Sequence, residues 1–267
     1  MANSIKKSIL GLMKKINKKR FQLFFENLYI LSLHGMGFGE SELDKDGEAD
    51  ILRKLGKKKE KLVIFDVGAN IGRYTQECKK FIPDSEVYCF EPSKKTFETL
   101  KDNLKNFKKV YLHNIGFGER KSKKNLFYDR EGSSLASVYN RKLDYRKIYF
   151  NKKEKINIET IDSFCKKELI REISLLKIDV EGNELNVLKG AKEMIRKRGI
   201  KKIQFEFGGC NIDSRVFFRD FWNMLNKNYT IYRIIKGGLV QIKNYKELNE
   251  IFTLINYFAV LKDAESF

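Results

Sequence analysis

The stretch KLVIFDVGANIGRYT, residues 61–75, constrains the fold of this chain more than any other segment. An apolar run leads from Leu62 to Asp66, Gly or Asn then recurs at every second position, and a helix-like stretch begins at Arg73. A strand that ends in an acid and passes through a glycine-rich turn into a helix is typical of the first β-α step of an open α/β sheet. Such turns bind nucleotide-like cofactors, because the carboxyl end of the strand meets the N-terminus of the helix there.

Strands and helices alternate further along the chain. The final connection is too short for a crossover helix, so we expect an antiparallel edge strand. The sequence therefore predicts a doubly wound α/β sheet built outward from the first strand. The later predicted strands are residues 86–90, 110–113, 174–180, 200–207, 229–235 and 252–261, with a Gly237-Gly238 turn before the last.

An irregular region, residues 117–165, interrupts this alternation. It holds strand-like runs at 125–128 and 156–161 around a polar loop that contains Gly132-Ser133-Ser134. We interpret it as a β-rich insertion over the carboxyl edge of the sheet. Such a segment either carries substrate specificity or elaborates the structure.

The chain of 267 residues suits one α/β domain with a small appendage. We predict an N-terminal helical extension at 1–56 and the main domain at 57–267. Within the extension, residues 21–33 are strongly apolar and predict a buried helix that roofs the sheet.

The first 20 residues differ in character from the rest of the extension. Ile5, Ile9, Leu12 and Ile16 recur at helical spacing among seven basic residues. A basic amphipathic helix can lie on an anionic membrane surface. Alternatively, the stripe packs on the domain or on a second copy of the chain as a homodimer. We favour packing, because the apolar stripe is narrow.

The formal net charge of +19 indicates either an anionic partner, such as nucleic acid, a membrane or a phosphorylated substrate, or simply a lysine-rich surface. We favour the lysine-rich surface. The four cysteines form no C-x-x-C pair, no apolar run reaches the ~18 residues that span a bilayer, and no secretory signal pattern is present. We expect a reduced cytoplasmic protein, or one peripheral at the inner membrane surface.

A first polar group follows the predicted sheet edge: Asp66, Gly68, Asn70, Gly72 and Glu91. The glycines let the backbone approach a ligand closely, and an acid at the end of the second strand reaches ribose hydroxyls. A dinucleotide site favours G-x-G-x-x-G, whereas this turn is D-x-G-x-N-x-G. Its leading acid would repel a pyrophosphate but could hold an amino-acid ammonium. The pattern favours S-adenosylmethionine over NAD.

Several motifs occur in an order that resembles the FkbM family of S-adenosylmethionine-dependent O-methyltransferases. They are FDVGANIGRYT, CFEPSKKTFETL, HNIGFGE, the Gly132-Ser133-Ser134-Leu135 stretch, INIETIDSF, LLKIDVEGNELNVLKGA and IQFEF, over residues 60–262. The resemblance implies a Rossmann-like class I methyltransferase sheet of order 3-2-1-4-5-7-6, with strand 7 antiparallel.

The resemblance also implies roles for individual residues. The turn would wrap the methionine moiety, Glu91 would bind the ribose, Pro92 and Ser93 would border the adenosine, and the segment after the third strand would lie on the adenine side. Asp179 would lie beneath the sulfonium. The implied cofactor residues are Asp66, Gly68, Ala69, Asn70, Gly72, Arg73, Glu91, Pro92, Ser93, Asn114, Ile115 and Gly116.

A second polar group contains Asp179, Glu181 and Glu206, with Lys177 nearby. Clustered strand-end carboxylates are unfavourable unless they bind a cation, a proton or a ligand that donates hydrogen bonds. Methyl transfer to a hydroxyl requires removal of its proton, so Asp179 is the first candidate for the base and Glu181 the second. Alternatively, Asp179, Glu181 and Glu206 hold Mg²⁺ or Mn²⁺. Glu181 and Glu184 could instead cap the following helix.

The chain has two histidines, His34 and His113. A single histidine is more often structural than catalytic, but His34 stands beside three glycines and could fold over the active-site mouth as a base or ligand. We expect His113 to be a core or loop residue.

The function that we predict is O-methylation of a sugar hydroxyl, on a nucleotide-linked or phosphorylated sugar or a related glycan or natural-product precursor. A nucleic-acid methyltransferase is the alternative that the charge favours. However, base-modifying relatives carry an N/D-P-P-Y/F segment where this chain has D-V-E-G. A noncatalytic, basic membrane-surface protein is the third reading, and the intact cofactor turn argues against it.

Overall fold

The structure is a computed structural model that describes residues 10–11, 13–14, 16–39, 47–57 and 61–262. Ile5, Ile9 and Leu12, on which the prediction of a narrow amphipathic helix depends, lie outside the described residues.

Two β-sheets form the centre of the described chain. The main sheet has eight strands in the order β3-β2-β1-β7-β8-β11-β9-β10, and a smaller sheet has the order β4-β6-β5. The strands are β1 (Val63–Val67), β2 (Glu86–Phe90), β3 (Val110–His113), β4 (Gly116–Phe117), β5 (Ser122–Tyr128), β6 (Lys152–Glu159), β7 (Leu175–Ile178), β8 (Lys202–Phe207), β9 (Tyr229–Ile235), β10 (Gly238–Gln241) and β11 (Ile255–Leu261).

Helices connect the parallel strands and cover both faces of the main sheet. The described helices are α1 (Gln22–Gly35), α2 (Glu48–Gly56), α3 (Arg73–Phe81), α4 (Lys94–Leu104), α5 (Ile161–Lys167), α6 (Glu184–Lys189), α7 (Lys192–Arg196), α8 (Cys210–Ser214) and α9 (Phe218–Leu225).

The main sheet has the strand order that the family resemblance implied. The strands β3, β2, β1, β7 and β8 are parallel, and β11 runs antiparallel to both β8 and β9. The fold is therefore a Rossmann-like class I methyltransferase fold. The predicted antiparallel strand is confirmed as β11, but it lies between β8 and β9 and not at the sheet edge.

One strand at the sheet edge was not predicted. The Gly237-Gly238 segment closes a hairpin between β9 and β10, in which Ile235 pairs with Gly238 across a two-residue loop. Gly237 has a φ of +82°, a value that short hairpin turns require and that glycine adopts without strain. The glycine pair thus adds an eighth strand beyond the family order.

Alternation along β1 divides the core between the two faces of the sheet. Phe65 and Val67 pack with Phe90 and Phe164 on one face, whereas Ile64 packs with other apolar side chains on the opposite face. The β-rich insertion contributes the smaller sheet, whose apolar side includes Leu126, Ile156 and Ile158.

The apolar helix α1 exists, but the prediction that it is buried is wrong. Leu33 is its one fully buried residue, whereas Leu23 and Leu31 have 70% and 67% of their surface exposed. Helices α2, α3 and others already cover the sheet, so α1 joins the core through its C-terminal end alone. No helix among the described residues is both long and apolar enough to cross a membrane.

Candidate functional site

A cavity of 490 Å³ opens at the carboxyl ends of the central strands β1, β2, β7 and β8. This is the edge of an open α/β sheet at which ligands bind. Its volume falls within the range of small-molecule and cofactor pockets. The insertion contributes part of the wall, including Ser133, Leu135 and Ala136. The insertion therefore lies over the carboxyl edge of the sheet, as the sequence predicted.

The glycine-rich turn after β1 forms one part of the cavity wall through Gly68 and Asn70. The backbone N–H groups of Gly68 and Ala69 both donate to the Phe90 carbonyl at 3.0 Å, which ties the turn to the end of β2. Gly68 has a φ of +83°, and a Cβ there would lie 1.8 Å from the Asp179 carbonyl oxygen. Only glycine fits between the two strand ends at this position.

Glu91 joins the two strand ends of the predicted ribose site. Its Oε2 accepts a hydrogen bond from the Asn70 N–H at 3.0 Å, and its Oε1 accepts one from the Ser93 N–H at 2.9 Å. Burial raises the pKa of Glu91 to about 7, and these two N–H donors oppose that rise. The carboxylate lines the cavity and retains lone pairs for ligand hydroxyls.

Asp66 lies behind the turn rather than in the cavity wall. Its side chain is fully buried, accepts a hydrogen bond from Thr75 Oγ1 at 2.7 Å and lies 3.7 Å from Lys177 Nζ. Burial raises the pKa of Asp66, and Lys177 opposes the rise. The structure therefore does not place this carboxylate where it could contact the methionine ammonium, as the sequence had suggested.

Asp66 belongs to a polar row across one buried face of the sheet. Strand register places Cys89, Asp66, Lys177 and Gln204 side by side on β2, β1, β7 and β8. Glu48 of α2 accepts a hydrogen bond from Gln204 Nε2. This row connects the N-terminal extension to the strand ends that form the site.

The other predicted cofactor residues divide into two groups. Those that line the cavity are Gly68, Asn70, Arg73, Glu91, Pro92 and Gly116; those that do not are Ala69, Gly72, Ser93, Asn114 and Ile115, besides Asp66. Asn114 supports the wall indirectly, because its Nδ2 donates to the carbonyls of Glu91 and Pro92 at 2.9 and 3.1 Å.

An apolar portion of the wall lies beside Pro92. Phe117, Leu126, Ile156 and Ile158 line it, and all four belong to the small sheet of the insertion. Such a surface suits the flat face of a purine ring. The insertion therefore completes the side of the site next to the predicted adenosine residues.

Asp179 is the half-exposed acid of the cavity, with 39% of its side chain accessible. Its Oδ2 accepts a hydrogen bond from Lys177 Nζ at 3.1 Å. Burial lowers the pKa of Lys177, but Asp179, Asp66 and Glu48 together raise it above its ordinary value, so the lysine is charged. The ammonium fixes one carboxylate oxygen of Asp179, and no hydrogen bond from a described residue is found for the other.

Glu181 is held by a residue that the sequence analysis missed. Arg141 of the insertion donates from Nη1 to Glu181 Oε2, and its Nε lies 3.4 Å from Asp213 Oδ2. Ser137 Oγ donates to the Glu181 carbonyl at 2.6 Å. Glu181 has a φ of +53°, a strained value that these contacts maintain.

Glu206 differs from Glu181 because the side-chain hydrogen bond described for it comes from a thiol. Cys210 Sγ lies 3.9 Å from Glu206 Oε1. Burial, Asp179 and Glu181 raise the pKa of Glu206 well above its ordinary range. Since Glu181 has a guanidinium partner, we assign the proton of this pair to Glu206.

The predicted metal group of Asp179, Glu181 and Glu206 does not come together. Among the described residues, the group with ligand atoms within 4.8 Å of one another is Glu181, Glu206 and Cys210. Mg²⁺ and Mn²⁺ prefer oxygen ligands, and burial raises the pKa of the Cys210 thiol, so this donor set does not fit them. Arg141 and Lys177 already balance the carboxylates, and we derive no step through a metal.

The helix-capping alternative applies to Glu184 and not to Glu181. Glu184 Oε1 accepts hydrogen bonds from the Val180 and Gly182 N–H groups, both at 3.0 Å, at the start of α6. Burial raises the pKa of Glu184 to about 7 against these donors.

Neither histidine lines the cavity. His34 is exposed at the end of α1, beside Gly39, so the structure does not support its predicted catalytic role. His113 stacks on Phe90 with ring centroids 5.2 Å apart, and burial lowers its pKa. It is a half-buried residue that packs against the aromatic core, which agrees with the expected core or loop position.

The site thus combines a glycine-rich turn, a ribose-type acid and a half-exposed carboxylate in one cavity. A family model described as the methyltransferase FkbM domain matches residues 66–231, which is more than half of the chain. The chain belongs to the FkbM methyltransferase family. All the strands that carry the site, from the end of β1 to β8, lie within the matched residues.

Curated relatives are similar over part of the chain. The chain is 23% identical over 145 residues to the 2-O-methyltransferase NoeI of Sinorhizobium fredii; this alignment covers 51% of this chain and 59% of NoeI. It is 27% identical over 168 residues to the hexuronic acid methyltransferase AglP of Haloferax volcanii; this alignment covers 62% of this chain and 65% of AglP. The chain thus spans less than two thirds of the length of these relatives.

Solved structures resemble the chain at the level of the fold. The crystal structure of a putative caffeoyl-CoA O-methyltransferase from Staphylococcus aureus aligns over 96% of this chain and 98% of that one, at 12% identity and a TM-score of 0.44.

Proposed function

We propose that this protein transfers the methyl group of S-adenosylmethionine to a hydroxyl of a sugar, either a nucleotide-linked or phosphorylated sugar or a glycan precursor. The observation that carries the proposal is the cavity that Glu91 and Asp179 share at the carboxyl ends of β2 and β7, the two strands that flank β1. The relatives named as a 2-O-methyltransferase and a hexuronic acid methyltransferase support a sugar hydroxyl as the acceptor.

The residues present fit this cofactor. The Glu91 carboxylate is positioned to accept hydrogen bonds from ribose hydroxyls, and Pro92, Phe117 and Ile158 offer an apolar surface for adenine. Gly68 and Asp179 line the same cavity, which offers space for the methionine portion. Bound there, the cofactor supplies an electrophilic methyl group on a sulfonium.

In the proposed reaction Asp179 accepts the proton of the acceptor hydroxyl. The cofactor would supply the methyl group that the acceptor oxygen takes up and would leave as a neutral thioether, and the hydroxyl proton would pass to the second oxygen of Asp179. Lys177 holds the other Asp179 oxygen at 3.1 Å and orients the carboxylate.

Acids make up most of the charged lining of the cavity, but two arginines could bind an anionic group of the acceptor. Arg73 and Arg146 both line the cavity, and Arg146 comes from the insertion. Guanidinium groups bind phosphate and carboxylate oxygens in pairs of hydrogen bonds. A phosphorylated sugar or a uronic acid would therefore bind better here than a neutral sugar.

The test is direct. Calorimetry should show that the purified protein binds S-adenosylmethionine, and a radiolabelled-methyl assay should show turnover with sugar nucleotides or phosphorylated sugars above that with the free sugars. Transfer RNA serves as a comparison acceptor. Absence of cofactor binding would refute the activity, whereas methylation of the RNA alone would refute the acceptor class.

A further inference from the structure

Helix α1 carries large apolar side chains that face solvent in the described structure. Phe24 and Tyr29 are 60% and 58% exposed, and Leu23, Leu28, Ile30 and Leu31 are similarly accessible. A soluble domain exposes single apolar residues freely, but a contiguous apolar patch marks an interaction surface.

These side chains surround the helix rather than form one stripe. At 100° per residue, Leu31 and Leu28 lie about 80° and 140° from Leu23, whereas Tyr29 and Ile30 lie about 240° and 340° from it. A protein partner on one side would cover a stripe of these residues. The polar residues Glu26 and Asn27 lie among these side chains, so the helix suits the boundary between an apolar layer and water.

A basic cluster precedes this helix. Lys14, Lys18, Lys19 and Arg20 are all exposed, and Glu26 is the one acid within α1. The Arg20 guanidinium lies 4.7 Å from the centre of the Phe21 ring. Cationic side chains next to an apolar helix favour the headgroup region of an anionic membrane.

The length of the helix decides how it could meet a bilayer. Its 14 residues extend about 21 Å at 1.5 Å per residue, which is shorter than the ~30 Å hydrocarbon core. It is thus too short to span and suited to lie within the interface.

We propose that α1 and the basic turn Lys18–Arg20 form a docking surface for an anionic lipid bilayer. The surface is attached to the fold through the buried Leu33 and Phe38, and the Gly39 N–H donates to the Leu254 carbonyl at 2.8 Å. Leu254 lines the cavity, so the docking helix and the site are joined through one hydrogen-bonded turn. This inference goes beyond the proposed methyl transfer and does not depend on it.

Vesicle flotation tests the proposal with the full chain and no substrate. Vesicles of phosphatidylcholine alone are compared with vesicles that contain about 30% phosphatidylglycerol. We expect flotation with the anionic vesicles only, and a loss of it at high salt. The triple variant Lys18→Gln, Lys19→Gln, Arg20→Gln should lower the partition coefficient at least about tenfold. The double variant Phe24→Ser, Leu31→Ser should do the same.

Matched controls use exposed residues elsewhere on the chain. Two control variants should float as the wild type does, because their side chains are exposed and distant in sequence from α1. They are the double variant Leu169→Ser, Leu248→Ser and the triple variant Lys105→Gln, Lys108→Gln, Lys197→Gln. Circular dichroism verifies that every variant is folded.

Two outcomes would overturn the proposal. The first is a flotation result: either the wild-type protein does not float with anionic vesicles, or the double variant Phe24→Ser, Leu31→Ser floats as well as the wild type. The second is a stable dimer in sedimentation without vesicles that the same double variant separates, because α1 would then be covered by a second copy of the chain.

Discussion

Lys177 and Asp66 are register partners on the neighbouring strands β7 and β1. The Lys177 ammonium lies 3.7 Å from the Asp66 carboxylate and also donates a hydrogen bond to Asp179 at 3.1 Å. One buried cation therefore serves a fully buried acid and a half-exposed one. It neutralises Asp66 inside the sheet and orients Asp179 at the cavity, so stability and activity depend on the same side chain.

Lys177→Met should lower the free energy of unfolding by about 3 kcal/mol, because it leaves Asp66 buried without its cation. It should also lower kcat, since Asp179 loses its hydrogen bond. Urea unfolding and a methyl-transfer assay measure the two effects. Lys201→Met, which breaks a 3.0 Å ion pair with Glu172 at the surface, is the control and should change stability by less than about 1 kcal/mol.

A double variant separates the two roles of Lys177. Asp66→Asn combined with Lys177→Met should recover part of the lost stability, because the buried charge is gone, while kcat stays low. Full recovery of kcat in the double variant would show that Lys177 does not position Asp179.

Glu91→Gln should weaken S-adenosylmethionine binding about 10- to 100-fold in calorimetry. The amide offers one acceptor oxygen where the carboxylate offers two, and its NH₂ would face an N–H donor from Asn70 or Ser93. Glu86→Gln, at the opposite end of β2 in a surface pair with Lys61, should bind the cofactor as the wild type does. Because the pKa of Glu91 is about 7, affinity should also rise between pH 6 and pH 8 in the wild type and not in the variant.

Asp179→Asn should lower kcat about 10²- to 10⁴-fold with a much smaller change in cofactor affinity, as loss of a general base does. Single-turnover assays with saturating cofactor measure the chemical step. Glu181→Gln is the comparison, because Glu181 was the second candidate but has its carboxylate occupied by Arg141. A larger loss in Glu181→Gln than in Asp179→Asn would reverse the assignment of the base.

The strand order was implied by the family resemblance, whereas the location of the site could be predicted from local patterns in the sequence. Alternation, turn glycines and acids at strand ends are visible within a few residues of one another, and Glu91 was assigned in this way. The same alternation could have corrected Asp66, since Ile64 and Asp66 point to the same buried face of β1. The position of Asp66 at the strand end favours the cavity, whereas its register places it on the buried face.

Arg141 could not be predicted, because its contact with Glu181 joins an irregular loop to a strand end 40 residues away. Nothing near Arg141 in the sequence marks it as different from the other basic residues of the insertion. The exposure of α1 was missed for a related reason. Hydropathy shows that Phe24 and Leu31 require an apolar environment, but it does not show whether the protein core supplies that environment.

Stability should fall as the pH rises from about 5 to 8. Glu91 and Glu184 have pKa values raised to about 7 by burial, above their ordinary value of 4.5, so the folded state binds more protons than the unfolded one in this range. Each group contributes at most about 3 kcal/mol to the free energy of unfolding. This contribution is fully present below about pH 4.5 and is lost as the pH rises through 7. Urea unfolding across the range measures the slope. Glu184→Gln should flatten it, whereas a slope that is unchanged would contradict the raised pKa.

Arg141→Met should affect the acceptor more than the cofactor. Arg141 ties the insertion to Glu181 and Asp213, so its loss should loosen the wall that Ser133 and Leu135 form and leave Glu181 buried without a cation. We expect the KM for the acceptor to rise about tenfold, the Kd for S-adenosylmethionine to change less than about threefold, and the Tm to fall by several degrees. Adding Glu181→Gln should restore Tm and not KM, because it removes the unpaired charge but not the need for an anchor. Arg130→Met, an exposed arginine of the same insertion, is the control; an equal effect there would show that Arg141 has no special role.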